Sequence, residues 1–166
     1  NSAYVDNISI SFNPCLRPMD LQAINPLANS VQLTWTSDAV DFTLYYKPSN
    51  SNTWESIPNV SLGSDSTYEL TGFTSITQYD WYVVGTCSEG TELASQIATF
   101  TTGCESVTIP YTQNFDSLGT GSGVLPTCWT GDNNYSTTTQ YPYVNSSYHT
   151  SGNASLYFYC SSSTYN

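Results

Sequence analysis

Positive charge is almost missing from this chain of 166 residues, in which Arg17 and Lys47 stand against thirteen acids for a formal net charge of −11. A surface so poor in cations cannot neutralise phosphates, which argues against nucleic acid and anionic membranes as partners. Histidine occurs once, as His149 in SSYHTSG, and no Gly-x-Ser-x-Gly elbow accompanies it, so the sequence offers no nucleophile and base for hydrolysis. The acids are scattered and single out no carboxylate pair for glycoside cleavage. No catalytic residue is assigned and the chain is read as non-enzymatic. Close cysteine pairs of the CxxC kind are absent, which disfavours a zinc-thiolate site. There is no apolar run of about 18 residues to cross a membrane and no basic segment leading into an apolar one. A sustained helical period is missing too, and the helix formers Ala, Leu, Glu and Lys are sparse.

What is abundant is Thr, Tyr, Val, Ile, Phe and Trp, the residues that favour strands. Solubility rests on Ser, Thr, Asn and Gln instead of charge, which suits an extracellular protein. Five widely spaced cysteines, Cys15, Cys87, Cys104, Cys128 and Cys160, are read as disulfide formers in an oxidising compartment. Their odd number leaves one without a partner inside the chain. The start on Asn1-Ser2-Ala3-Tyr4, without Met, is read as a section of something longer or as a processed end.

Strand patterns run along most of the chain. YVDNISISF, residues 4–12, alternates with a mostly apolar phase at Tyr4, Ile8, Ile10 and Phe12, and stops at Asn13-Pro14-Cys15. Further alternation follows at Val31, Leu33 and Trp35; at Phe42, Leu44 and Tyr46; over 54–57; at Tyr68 and Leu70; at Tyr79, Trp81 and Val83; and over 93–100. Turn residues separate these segments. Short strands spaced by roughly ten residues in this way are the sign of an antiparallel β-sandwich. After Cys104 the alternation weakens, with one clear strand candidate over 154–159. One or two strands do not make a stable domain, so residues 105–166 are expected to need further chain.

The middle block resembles the fibronectin type III domain. Trp35 in SVQLTW is similar to that family's core tryptophan on the second strand. The run LTGFTSITQYDWYVV, residues 70–84, is similar to its tyrosine corner, with Tyr79 as the corner residue whose hydroxyl bonds to upstream backbone. The resemblance covers about residues 16–102. It is nearest to modules of secreted and surface proteins of Bacteroidetes, which open with Cys-x-x-Pro-x-x-Leu (here Cys15, Pro18 and Leu21), carry a cysteine after the sixth strand (here Cys87) and close on Phe-Thr-Thr-x-Cys (here Phe100 to Cys104). The following Pro110-Tyr111, Asn114-Phe115-Asp116 and Pro126-Thr127-Cys128-Trp129 resemble the opening of a jelly-roll module of the cleaved-adhesin or MAM-like kind. Residues 4–12 resemble the last strand of such a module.

The resemblance implies an all-β chain: residues 1–12 ending a preceding jelly-roll module, 13–104 a seven-stranded fibronectin type III sandwich, and 105–166 the start of a following jelly roll. It implies disulfides Cys15–Cys87 and Cys104–Cys128, with Cys160 left for chain elsewhere. Adhesin jelly rolls often hold a structural ion, so calcium is the one metal considered, with Asp116 and Asp132 as candidates and Asp6 belonging to the preceding module; no other cofactor is expected. Asp65-Ser66-Thr67 and Asp116-Ser117-Leu118 resemble the Bacteroidetes O-glycosylation signal, at Ser66 and Ser117. The tyrosines of residues 135–159, with Trp129, are weighed as a sugar-stacking platform against ordinary strand packing. The function expected is a structural or adhesive module of a large secreted, surface-displayed repeat protein or fibre, partnered by neighbouring modules, other copies, or a glycan or protein ligand. The alternative is an accessory spacer or carbohydrate-binding region of a secreted protease or glycan-degrading enzyme.

Overall fold

Period-two burial shapes the first of two units. In β2 (Ser30–Thr36) Val31, Leu33 and Trp35 are buried while Gln32 and Thr34 are only half-covered; in β6 (Gln78–Thr86) Tyr79, Trp81 and Val83 alternate in the same way. The computed structural model describes residues 15–63, 67–130 and 143–157, and the chain divides into Asn1–Ser106 and Val107–Asn166. The expected strand over 4–12, Asp6, Ser66, Asp132 and Cys160 lie outside the described residues.

In the first unit one sheet has the order β1 (Met19–Ile24), β2, β5 (Tyr68–Thr71). The other runs β4 (Glu55–Ile57), β3 (Asp41–Pro48), β6, with β7 (Glu92–Ala94) and β8 (Ala98–Thr101) both paired to β6. Every pairing is antiparallel. Val31, Leu33, Trp35 and Leu70 from the first sheet share one core with Leu44, Tyr79, Trp81, Val83 and Phe100 from the second. Each such side chain contributes about 1.5–3 kcal/mol on burial, so the sandwich rests on residues that the alternation alone points to.

Two elements depart from a simple seven-strand reading. β1 carries a register shift between Met19 and Gln22, with Asp20 at φ 55°, and the bulge breaks the alternation that would have announced the strand. The expected last strand over 93–100 is two strands. At Ser95 the backbone N–H donates to Val83 O (2.8 Å), while the Ser95 hydroxyl accepts the Val83 N–H (3.0 Å) where a strand carbonyl would stand. The chain then swings outward, leaving Ile97 exposed, and rejoins β6 at Ala98 opposite Trp81.

The second unit contains, among the described residues, a sheet of order β11 (Ser155–Tyr157), β10 (Tyr143–Asn145), β9 (Gly121–Ser122), all antiparallel. β11 falls within the strand expected over 154–159. Val144, fully buried, forms its centre.

Candidate functional site

The place where the chain leaves the first unit is the most heavily tied part of it. Phe73, Tyr79 and Phe100 meet at ring-centroid distances of 4.6, 5.2 and 5.6 Å, and Tyr46 adds an edge to Phe73 at 5.7 Å. The Tyr79 hydroxyl accepts the Thr74 N–H at 3.0 Å, the corner bond expected of it. Thr102, buried, then pins the same loop: its hydroxyl donates to Thr74 O (2.7 Å) and accepts the Thr77 N–H (2.9 Å), and its own N–H donates to Thr77 O (3.0 Å). Gly103 donates to Leu27 O at 3.0 Å, and a Cβ there would stand 3.1 Å from the Pro26 carbonyl oxygen. Phe-Thr-Thr-Gly is therefore clamped to the first unit's own loops by a core ring, a buried hydroxyl and a glycine that lets two backbones approach, with Thr101 exposed between them.

The other end of the unit is tied covalently. Cys15 and Cys87 are disulfide-bonded, with a Cα–Cα distance of 5.9 Å across 72 residues of sequence. Cys104 and Cys128 are each disulfide-bonded as well. Trp35 sits in the core, edge-on to Phe42 at 5.4 Å.

The outer face of the larger sheet carries a side-chain cluster that the sequence reading did not single out. Tyr45 and Tyr82 lie opposite each other on β3 and β6 and stack at 4.8 Å with 3° between the planes, and Trp54 meets Tyr82 edge-on at 4.8 Å. Lys47 caps the Trp54 ring at 5.1 Å and pairs with Asp80, its cross-strand neighbour, at 3.1 Å; the side chains are 13% and 21% exposed, so the pair is more sheltered than an ordinary surface bridge. Ser49 donates to Asp80 at 2.6 Å, and this bond, aided by Lys47 and opposed by burial, holds the Asp80 carboxyl below its usual range. Burial, then Tyr45, pushes the Tyr82 phenol up. The one lysine is thus engaged in holding the sheet, and the ring faces are turned toward one another. On the core side, burial and then the Glu55 carboxylate, which accepts the Tyr46 hydroxyl at 2.8 Å, push the Tyr46 phenol up to about 12.

In the second unit Asp116 serves the backbone. Its Oδ1 accepts the N–H groups of Asn153 and Ala154, and these bonds, with His149 a lesser influence, hold its carboxyl below the usual range. A Cβ at Gly152 (φ +68°) would overlap the carboxylate. Among the described residues no three His, Cys, Asp or Glu side chains converge to hold a metal ion. Ser117 is exposed in the turn closed by Leu118 N–H to Phe115 O, and His149 is exposed in a loop. Of the expected sugar platform, Tyr148 stands out in solvent, Tyr143 is half-buried in β10, and Trp129 groups instead with Phe115 (5.9 Å, perpendicular) and Tyr111 (6.4 Å). No helix among the described residues is long and apolar enough to cross a membrane.

No family model and no curated protein matches the chain. Solved structures do. The crystal structure of a fibronectin type III domain of human collagen XX is 17% identical, covers 58% of this chain and 100% of its own, and superposes with a TM-score of 0.46. The solution structure of the fibronectin type III domain of the human collagen alpha-1(XX) chain is 23% identical, covers 62% of this chain and 99% of its own, and reaches a TM-score of 0.51. That similarity, together with the three-stranded and β4-β3-β6 sheets, the shared core and the Tyr79 corner, makes the first unit a fibronectin type III-like sandwich.

Proposed function

We propose that the chain is a non-enzymatic spacing and adhesive section of a larger extracellular protein, in which a fibronectin type III-like sandwich is followed by the opening of a jelly-roll module. The observation that carries this reading is the anchoring of both ends of the sandwich: Cys15 is bonded to the end of β6, and Thr102 and Gly103 are clamped to the loops at 74–77 and 26–27. A tension applied along the chain meets a covalent bond at one end and a buried hydrogen-bond network at the other. Disulfides belong to an oxidising compartment, in keeping with a secreted or surface-displayed protein, and a Bacteroidetes source follows the Cys15, Cys87 and Phe100-to-Cys104 motif. The Pro110-to-Asp116 and Pro126-to-Trp129 motifs support reading the second unit as the opening of a jelly-roll module.

Cys104 and Cys128, both oxidised, are proposed to pair with each other and staple the joint. Peptide mapping of the full chain without reductant should recover a peptide pair joining them. Recovery of Cys104 or Cys128 on any other cysteine would overturn the stapled joint, and turnover of polysaccharide or protein substrates by the purified chain would overturn the non-enzymatic reading.

A further inference from the structure

The second unit contains a cleft of about 470 Å³ lined by residues 112–116, 150–151 and 154–156, within the size range of small-ligand sites. Its walls mix amide, hydroxyl and carboxylate groups with the Phe115 ring and the Leu156 side chain. The hydroxyls of Thr112, Thr150 and Ser151 have no hydrogen-bond partner among the described residues, so three groups able both to donate and to accept face open space. Asp116 is held ionised by the amides of Asn153 and Ala154, which also fixes the loop that carries Thr150 and Ser151.

Beside the cleft, Phe115 forms a corner with Trp129, whose ring stands perpendicular to it at 5.9 Å, and the Trp129 indole N–H donates to the Tyr111 hydroxyl at 3.4 Å. Trp129 is 38% exposed and Tyr111 43%. The Tyr45–Tyr82–Trp54 cluster differs, because there the rings stack on one another and Lys47 covers the indole face.

From this arrangement we infer that the cleft of residues 112–116, 150–151 and 154–156, together with Trp129 packed against its Phe115, is a binding site for a neutral oligosaccharide. Ring hydroxyls of a sugar match the solvent-exposed Thr and Ser hydroxyls, which have no protein partner among the described residues, and its apolar C–H face matches the exposed indole. A uronic or sulfated sugar is disfavoured, since no cation lines the cleft and Asp116 is negative. This deepens the adhesive part of the proposed function and rests on it; the spacing part is independent of it, being read from the sandwich's own bonds.

The test is saturation-transfer NMR of the full chain with neutral hexasaccharides of glucose, mannose, galactose and xylose, and with a sulfated and a uronic oligosaccharide beside them. At least one neutral probe should bind. Thr150→Val, which keeps the side-chain shape, and Trp129→Ala should each weaken that binding tenfold or more, with the Val144 methyl signals unchanged, while Tyr45→Ala leaves binding as it was. The inference is overturned if no neutral probe binds at millimolar concentration, if only the anionic probes bind, or if binding survives both Thr150→Val and Trp129→Ala. None of these results would alter the disulfide map or the mechanical response of the sandwich, so failure of the sugar site is separable from failure of the spacing role.

Discussion

Pulling the chain from its two ends tests the anchoring of the sandwich directly. With Cys15 bonded to Cys87, residues 16–86 lie inside a closed loop that carries no tension, and forced unfolding of the sandwich can release only the stretch from Cys87 onward. At ~3.5 Å per extended residue, residues 88–104 yield about 60 Å of contour. Replacing both cysteines by serine opens the loop, and the same event should lengthen by about 250 Å. Optical-tweezer traces of the parent chain and of the Cys15→Ser/Cys87→Ser variant, both without reductant, read this difference while the second unit contributes equally to each. The bridge also restricts the unfolded chain, and for 72 residues the loop-entropy model assigns it about 4 kcal/mol, a large share of the ~5–15 kcal/mol that stabilises a typical domain. The variant should therefore melt well below the parent. An unfolding step of equal length in the two proteins would show that the bond does not carry the load, and would refute the reading of the sandwich as a covalently anchored spacer.

The loop at 74–77 yields a second prediction. Tyr79→Phe strands the Thr74 N–H, and Thr102→Val strands the Thr77 N–H and the Thr74 carbonyl; each should cost about 1–3 kcal/mol in urea denaturation. Because both hold one loop, their double-mutant cycle should show a coupling of at least about 0.5 kcal/mol, and strict additivity would contradict a shared clamp. Tyr46 predicts an alkaline limit: its folded pKa of about 12 lies above the ordinary 10.0, so its stabilisation is complete below pH 10 and is lost as pH rises toward 12. Glu55→Gln should bring the Tyr46 titration, followed by tyrosinate absorbance, back toward 10.0, and an unchanged midpoint would reject the Tyr46–Glu55 pair. At the acid end, Asp80 is held below its ordinary 3.8, so its contribution is present above that value and lost as pH falls through the lowered pKa; Asp80→Asn should flatten this part of the stability profile, and a steeper acid loss would reverse the sign. Gly103→Ala should destabilise the joint, because the added Cβ meets backbone that cannot yield easily; a melting temperature equal to the parent's would remove the steric reason for glycine there.

Much of the sandwich was legible along the sequence because its determinants are local. Val31, Leu33 and Trp35, or Tyr79, Trp81 and Val83, announce their face through period-two spacing whatever lies opposite. Where a bulge shifts the phase, as between Met19 and Gln22, or where a side chain replaces a strand carbonyl, as at Ser95, the local signal fails. The stacking of Tyr45 on Tyr82 could not be read in advance either, since it depends on the register of β3 against β6.

By itself, then, the sequence determined the strand-forming alternation, the shortage of cations and the sparse catalytic chemistry, all of which follow from residue type and short-range spacing, while the tyrosine corner was legible through the resemblance to the fibronectin type III domain. The tertiary structure alone decided what each polar group does. Asp116, a candidate calcium ligand through the jelly-roll resemblance, accepts amides 37 and 38 residues away; Lys47 is the partner of Asp80; and hydroxyls of Thr112, Thr150 and Ser151 line one cleft. Hydrogen bonds and ion pairs act over a few ångströms, and which groups come within that reach is set by strand register and loop path, neither of which a linear pattern encodes.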